Sequence, residues 1–488
     1  MSNETTKLET LSGLELGKLV NTKQISPVEV VDYFAETIKK KNPEINAFVY
    51  TKIDEAKEEA KELEKKIMEG NNQLPLAGVP IGLKDFLPSK KGWTATHGGV
   101  KCLQTIDPED SIFYKSAKAL GCIAIGKTNA PSFGFRGTTD NKMYGPTSTP
   151  FKIGYNSGGS SGGSAAAVGS QMVPLAECGD AGGSIRIPSA WCGVYGFKPS
   201  AGIVPSVCRP DAWTATHPYC CPGPAARTVS DAAIVLTQMQ GYDPRDPISV
   251  PIKYESFTKK HTIKGLKIGY TDNFDLFPHC DKQISDAMGK VFDKLIDAGV
   301  ECIEPVMFDF HYSMKEMEEA WLLGISIDDS LTPEVIKAVD DHPEDMPTEF
   351  LRWHYRARSA TMQDYRRFHD IRTDILDAHV NVFKDYDIIL SPVSGCLPVK
   401  NSDDFDTKGP DSINGTKINP LIGFGYTYLE NMTGCPAASI PIGMSKEGLP
   451  IGMQIIANRY RDDLVFDLSY VLEEINPWSY DLIDNRLK

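Results

Sequence analysis

Two serine-bearing glycine loops, Gly158-Gly159-Ser160-Ser161-Gly162 and Gly179-Asp180-Ala181-Gly182-Gly183-Ser184, flank a short alanine-rich segment, and a single lysine, Lys84, lies upstream in VPIGLKD. Glycine is used where the backbone must take a positive φ or approach another group closely, so each cluster marks a place where main-chain N–H groups can be bared toward a ligand. Each also offers a hydroxyl. A serine hydroxyl is a weak nucleophile at neutral pH and needs a base. No histidine occurs between His97 and His217, which leaves lysine as the base the local sequence provides.

Lys84 follows an apolar stretch, Val79 to Leu83. An ordinary lysine with a pKa near 10.4 is neutral in only about one molecule in a thousand at pH 7, and lowering that value by about three units costs roughly 4 kcal/mol, which burial must supply. The plain alternative is an ion pair with the adjacent Asp85. Ser160 is one of three serines in the first loop whose hydroxyl could pass a proton between a second serine and a neutral amine, and physics alone does not choose among them. Ser161 and Ser164 share its loop, and their plain role is to cap a helix over Ala165 to Val168. Ser184 ends a run of small residues whose N–H groups, on Ala181, Gly182, Gly183 and Ser184, can converge on a carbonyl oxygen gaining charge. Taken alone, this Gly-Gly-Ser is equally a tight turn into a helix.

As a set, these motifs resemble the amidase signature family of serine hydrolases. The resemblance runs through ISPVEVVDYFAETIKKKNPEINAFV, PLAGVPIGLKD, GKTNAPSFG, GPTSTPF, both serine loops, FKPSAG, GPAARTVSDAA, DPRDP and NMTGCPAASIPIGMSKEGLPIGMQI. It implies a catalytic triad of Lys84, Ser160 and Ser184, a cis peptide bond at Gly159-Ser160, and an oxyanion hole at Ala181 to Ser184. It also implies that Asp180 and Arg186 pair behind the loop, with Ser161 beside them. The chemistry implied is hydrolysis of a carboxylic amide through an acyl-enzyme, without cofactor or metal. A glutaminase subunit of a tRNA-dependent amidotransferase is a second function carried by similar chains. The chain departs from the family pattern in two places: Cys178-Gly179 stands where Gly-Thr is common, and Ser132 where an acidic residue is frequent.

Other motifs compete. Gly121 to Thr128, GCIAIGKT, matches the phosphate-loop pattern letter for letter, but Cys-Ile-Ala-Ile between the glycines is strand material and Pro131 follows too soon for the long helix required. Gly158 to Gly162 also satisfies G-x-S-x-G, the nucleophile elbow of a Ser-His-Asp α/β-hydrolase esterase. That elbow needs an apolar strand before it, and residues 150–157 read as a loop. The nine histidines include no H-E-x-x-H, so a metal hydrolase is disfavoured.

The elements that position these residues alternate between strand and helix, as in an α/β protein with a largely parallel or mixed sheet; the resemblance implies a large mixed sheet covered on both faces by helices. Ser26-Pro27-Val28-Glu29 is a capping box with proline at the first helical position, and Asn42-Pro43 is expected to end that helix. The Lys/Glu-dense 54–69 segment reads as a solvated helix. LAGVPIGLKD reads as a strand ending at Lys84, Ser111 to Leu120 as a helix, and CIAIG as a strand.

The 488 residues suffice for one large domain or two to three smaller ones, and the resemblance implies a single domain. Its parts are N-terminal helices at 1–70, a core carrying the chemistry at 71–240, a variable helical insert at 305–400 and a C-terminal part of the core at 401–488. The insert holds Trp321, Trp353, His354 and Tyr355, and resemblance suggests that it shapes a pocket. The loop from Cys208 to Cys221, with Trp213 and Tyr219, is another candidate border of the site. A net charge of −14 argues against tracking a phosphate backbone. The opening MSNETTKLET lacks a basic start and an apolar core, and no run of eighteen apolar residues spans a bilayer. Eleven cysteines without a C-x-x-C pair fit reduced thiols. The expected setting is the cytoplasm. The expected partner is a small-molecule amide, neither nucleic acid nor membrane, with a homodimer left open.

Overall fold

Eleven strands form one mixed sheet in the computed structural model, which describes residues 7–70, 73–86, 88–258 and 262–478. In chain order they are β1 Phe48–Thr51, β2 Pro80–Lys84, β3 Ile123–Thr128, β4 Leu175–Asp180, β5 Tyr195–Lys198, β6 Cys221–Ala226, β7 Lys267–Tyr270, β8 Cys302–Pro305, β9 Ile388–Pro392, β10 Ala437–Met444 and β11 Pro450–Ala457. Across the sheet the order is β1-β3-β2-β4-β6-β5-β10-β11-β9-β7-β8. β2 runs parallel to both β3 and β4, β9 and β7 are parallel, and β6, β5, β10 and β11 pair antiparallel. The sheet is therefore mixed, as expected.

Alternation along the strands explains why both faces are covered. Ile123 and Ile125 join one apolar cluster with Val31, Ala56 and the Ala165 to Val168 stretch, whereas Ala124 between them joins the other, with Phe113 and Leu236. The helices that supply these side chains begin where their caps predict. Ser26 forms a reciprocal box with Glu29 at the start of Pro27–Ile45, and Ser111 caps Ile112–Ala119. Asn42-Pro43 does not stop the first of these. The helix runs on to Ile45 and ends at Asn46, in the left-handed region at φ 58°, while Asn42 Oδ1 accepts from the Ala47 and Phe48 amides of the next turn. Proline in a last turn costs one hydrogen bond, which a terminus can spare.

The insert is helical as far as Val382, in Met314–Ser330, Pro333–Asp341, Thr348–Arg358 and Met362–Val382, but its last residues return to the sheet as β9. The first six residues of the opening MSNETTKLET and the last ten of the C-terminal segment lie outside the described residues. No helix among the described residues is long and apolar enough to cross a membrane.

Topology brings the candidate residues together. Because β2 and β4 are parallel, pairing Ile81 with Leu175 and Gly82 with Ala176, Lys84 at the end of β2 and the loop after Asp180 at the end of β4 emerge from the same sheet edge. Ligands of α/β sheets bind at the carboxyl ends of such strands. The helix Gly162–Gly169 leads into β4, so its N-terminus, with Ser160 just before it, returns to that edge.

Candidate active site

Lys84 and Ser160 meet in the interior. Lys84 is 6% exposed and Ser160 2%, and Lys84 Nζ lies 2.8 Å from Ser160 Oγ. Burial lowers the lysine pKa below its ordinary value, against the opposing pull of Cys178, Cys220, Asp180 and Glu177. The Phe86 ring lies 5.4 Å from Nζ, and Gly134, at φ +64°, passes so close that an added Cβ would sit 3.3 Å from Ser160 Oγ. The Gly159-Ser160 bond is cis. Asp85 does not pair with Lys84. It accepts from the Thr96 amide at 2.9 Å and from the Thr96 hydroxyl, with Lys127 at 4.0 Å.

Ser184 is partly exposed where Lys84 and Ser160 are buried, so it is the hydroxyl a ligand reaches first. Its main chain is tied to the first loop, the Ser161 amide donating to the Ser184 carbonyl at 3.2 Å. Among the described residues its hydroxyl makes no hydrogen bond to Ser160. The structure thus joins two of the three hydroxyl and amine groups directly and sets the third beside them through the backbone.

The second glycine loop is held by its carbonyls. Asn431 Nδ2 donates to the Asp180 carbonyl at 2.8 Å, Trp321 Nε1 to that of Ala181 at 2.8 Å, and Thr427 Oγ1 to that of Gly182 at 2.6 Å. With three successive carbonyls fixed from outside, the amides are fixed as well. The Gly183 amide is spent on Asp180 Oδ1 at 2.7 Å, while those of Ala181, Gly182 and Ser184 find no acceptor among the described residues. The four-donor cradle expected from sequence therefore has three free N–H groups. Side chains are excluded where the clamps close. A Cβ on Gly182 would lie 2.4 Å from the Trp321 indole, and one on Gly183, at φ +123°, 2.0 Å from Thr427 Oγ1.

Behind the loop, Arg186 and Asp180 pair at 2.9 Å with both side chains fully buried. Arg186 also donates to Glu430 at 2.8 Å, Gln454 at 2.6 Å and Asn431 at 2.6 Å. Burial alone would raise the Asp180 pKa, but the charge and hydrogen bonds of Arg186 outweigh it and hold the carboxyl below its ordinary value. Removing one partner strands the other charge in a dry interior. Arg186→Ala is accordingly expected to cost about 3–5 kcal/mol of unfolding free energy, measured by urea denaturation. A loss under about 1 kcal/mol would mean that the pair does not hold the loop.

The rival motifs resolve locally. Lys127 of the phosphate-loop match lies inside β3, fully buried and 2.7 Å from Asp107. Ser160 of the elbow match follows a loop and bonds Lys84, while the His217 ring turns instead to Asp328 at 3.5 Å and Tyr365 at 3.1 Å. The helix after the first loop begins at Gly162, three residues before the expected Ala165. Neither Ser161 nor Ser164 caps it: Ser164 lies within it, donating to the Glu177 carbonyl at 2.6 Å, and Ser161 Oγ donates to the Gly179 carbonyl at 3.4 Å. Ser132 reaches the Gly98 carbonyl at 3.1 Å.

Sequence reasoning missed Glu177, which accepts from the Lys84 amide at 3.3 Å and from Ser111 at 2.6 Å and which burial pushes up to about 7. It also missed Thr427, Asn431 and Glu430, which lie in TYLENMTG. That segment carried the general signal of polar residues before a strand, and only its NMTG end falls in a stretch that resembles the family.

Fold and likeness together define a hydrolase of carbon–nitrogen amide bonds. The Amidase family matches residues 29–466. A solved bacterial aryl acylamidase of the amidase signature enzymes shares 40% identity at a TM-score of 0.94, covering 97% of this chain and 98% of the other. An acylamidase of Rhodococcus erythropolis is 31% identical, with 97% of each chain covered. A glutamyl-tRNA(Gln) amidotransferase chain of Clostridium acetobutylicum is 32% identical over 94% of this chain and 98% of its own. The chain belongs to the amidase signature family.

Proposed function

We propose that the protein is a stand-alone acylamidase that cleaves small carboxylic amides, anilides among them, through a Ser184 acyl-enzyme. The 2.8 Å contact between a buried lysine of lowered pKa and Ser160 carries this reading. With Lys84 neutral, its nitrogen accepts the Ser160 proton, Ser160 takes the proton of Ser184, and Ser184 Oγ bonds to the amide carbon. The carbonyl oxygen, now negative, is met by the free N–H groups of Ala181, Gly182 and Ser184. The proton returns along the same path to the nitrogen, the C–N bond breaks, and the amine leaves. Water then repeats the sequence on the ester, releasing the acid and restoring Ser184.

The 40% identity to a solved aryl acylamidase, with the likeness to an acylamidase, supports an anilide over glutamine as substrate. The partner is then a small molecule, and the eleven free thiols suit a reducing cytoplasm. Incubation of the purified chain with acetanilide and its nitro derivative is expected to release the aniline and acetate with no added protein. If turnover appeared only with glutamine and a partner protein, the amidotransferase reading would replace this one.

A further inference from the structure

Arg186 is tied to more than the oxyanion loop. Its Nη1 donates to Glu430 Oε2 at 2.8 Å, and the other oxygen of that carboxylate, Oε1, faces His379 Nε2 at 3.7 Å. Glu430 is fully buried and His379 is 1% exposed, and neither Oε1 nor Nε2 has a hydrogen-bond partner among the described residues. His379 belongs to the helix Met362–Val382, Glu430 to the short helix Leu429–Thr433 that also carries Asn431. A line of side chains thus runs from the helical insert to the root of the oxyanion loop, through His379, Glu430, Arg186 and Asp180.

Hydrogen-bond chemistry decides what stands at the far end of that line. His379 Nδ1 lies 2.8 Å from the Ile375 carbonyl, and a carbonyl only accepts, so Nδ1 carries a hydrogen. In a neutral ring Nε2 is then a bare lone pair, set against a carboxylate oxygen. Two acceptors facing each other in a dry interior repel and leave both without a donor. A proton on Nε2 removes the conflict. The charges agree with this. Asp180, Glu430 and Arg186 together carry one uncompensated negative charge, which a protonated His379 cancels.

The surroundings supply no substitute cation. The rings of Phe308 and Phe274 cover the imidazole, with centroids 5.1 and 6.5 Å away. Asp275, beside Phe274, accepts the Phe308 amide at 2.9 Å. On the histidine's own helix Asp374 is bound by His311 at 2.6 Å, and Arg372 donates to the Met432 and Thr216 carbonyls. Lys198 lies within electrostatic reach of Asp180 and of Asp462 alike, and its ammonium donates to the Pro199 carbonyl at 3.0 Å. Among the described residues Glu430 is the one charged group within ion-pair distance of His379.

We propose that His379 is a positioning residue of the amidase: as an imidazolium it clamps Glu430 and, through Arg186 and Asp180, holds the oxyanion loop. The inference rests on the amidase reading above and adds to it a residue that acts only through others. Asp180 fixes the amides of Gly183 and Ile185, so what steadies Glu430 and Arg186 also sets the direction of the free amides beside them. Those amides meet full charge only in the transition state, so slackening the clamp lowers kcat more than it raises KM.

Two readouts on the full chain test it. With histidine-selective nitrogen-15 labelling, the His379 signals being identified by their absence from His379→Gln or His379→Asn, both ring nitrogens are expected to carry hydrogen at about pH 8, where a free imidazole is neutral. In Glu430→Gln the Nε2 hydrogen should be lost. For acetanilide, both His379 variants should lose about 10-fold or more in kcat per folded molecule, short of the roughly 10²- to 10³-fold that deleting an oxyanion donor costs, with KM changed by less than about 2-fold. Adding Glu430→Gln to either variant should return part of that kcat, because it removes the stranded charge. A bare Nε2 in the wild type, or an undiminished kcat in the His379 variants with only their unfolding free energy lowered, overturns the clamp and leaves the amidase reading standing. A wild type that turns over no anilide overturns the amidase reading and the positioning role with it.

Discussion

Replacing Ser184 with alanine is expected to lower kcat/KM for an anilide by about 10⁴-fold or more, the scale seen when a hydrolase loses its nucleophile. The same change should remove the covalent mark left by a fluorophosphonate probe, which peptide mapping of the wild type is expected to find on Ser184. Its position distinguishes it from Ser160: Ser184 is partly exposed beside three free amides, whereas Ser160 is 2% exposed and already bonded to Lys84. Ser160→Ala should also be slow, yet its Ser184 should remain in place. Modification of Ser160 in the wild type, or undiminished turnover by Ser184→Ala, would overturn the assignment.

Lys84→Met is the second large effect, with an expected loss of about 10²–10⁴-fold, the contribution of a positioned general base. Two pH signatures accompany it. In the wild type, activity rises with pH as Lys84 gives up its proton, and because burial lowers the pKa that limb lies below the ordinary lysine range. Stability carries the second signature. A lysine whose folded pKa is lowered binds fewer protons folded than unfolded, so unfolding free energy rises with pH between the lowered value and the ordinary one near 10.4. Lys84→Met should lose that slope as well as activity, as measured by urea unfolding from pH 6 to 10. An unaltered slope would mean that Lys84 is already protonated in the folded protein and is not the base.

The parts of the site legible in the sequence are those held by local rules. Ser26 and Ser111 cap helices with their own third-residue amides, the apolar run before Lys84 forms a strand, and small residues gather where backbone must approach a ligand. Pairing of Lys84 with Ser160 was reached only through resemblance, because nothing local tells a lysine at a strand end to choose a serine 76 residues away over Asp85 next door. The parallel register of β2 and β4 decides that, and register is a property of the sheet. The carbonyls that Trp321, Thr427 and Asn431 hold lay further out of reach, since each is between 140 and 251 residues distant, although Trp321 stood in the insert that resemblance placed at a pocket. The end of the Pro27–Ile45 helix was misjudged for the opposite reason: a proline was read as a stop, when a left-handed asparagine three residues later does the stopping.

The helix Met314–Ser330 carries Trp321, which makes the segment a poor cassette for engineering. Grafting a different 314–330 segment to retune substrate preference would remove the indole from the Ala181 carbonyl and leave empty the space that Gly182 keeps clear for it. Rate is mechanically geared to this one rod, so diversity here is more safely sought in single side chains than in wholesale exchange.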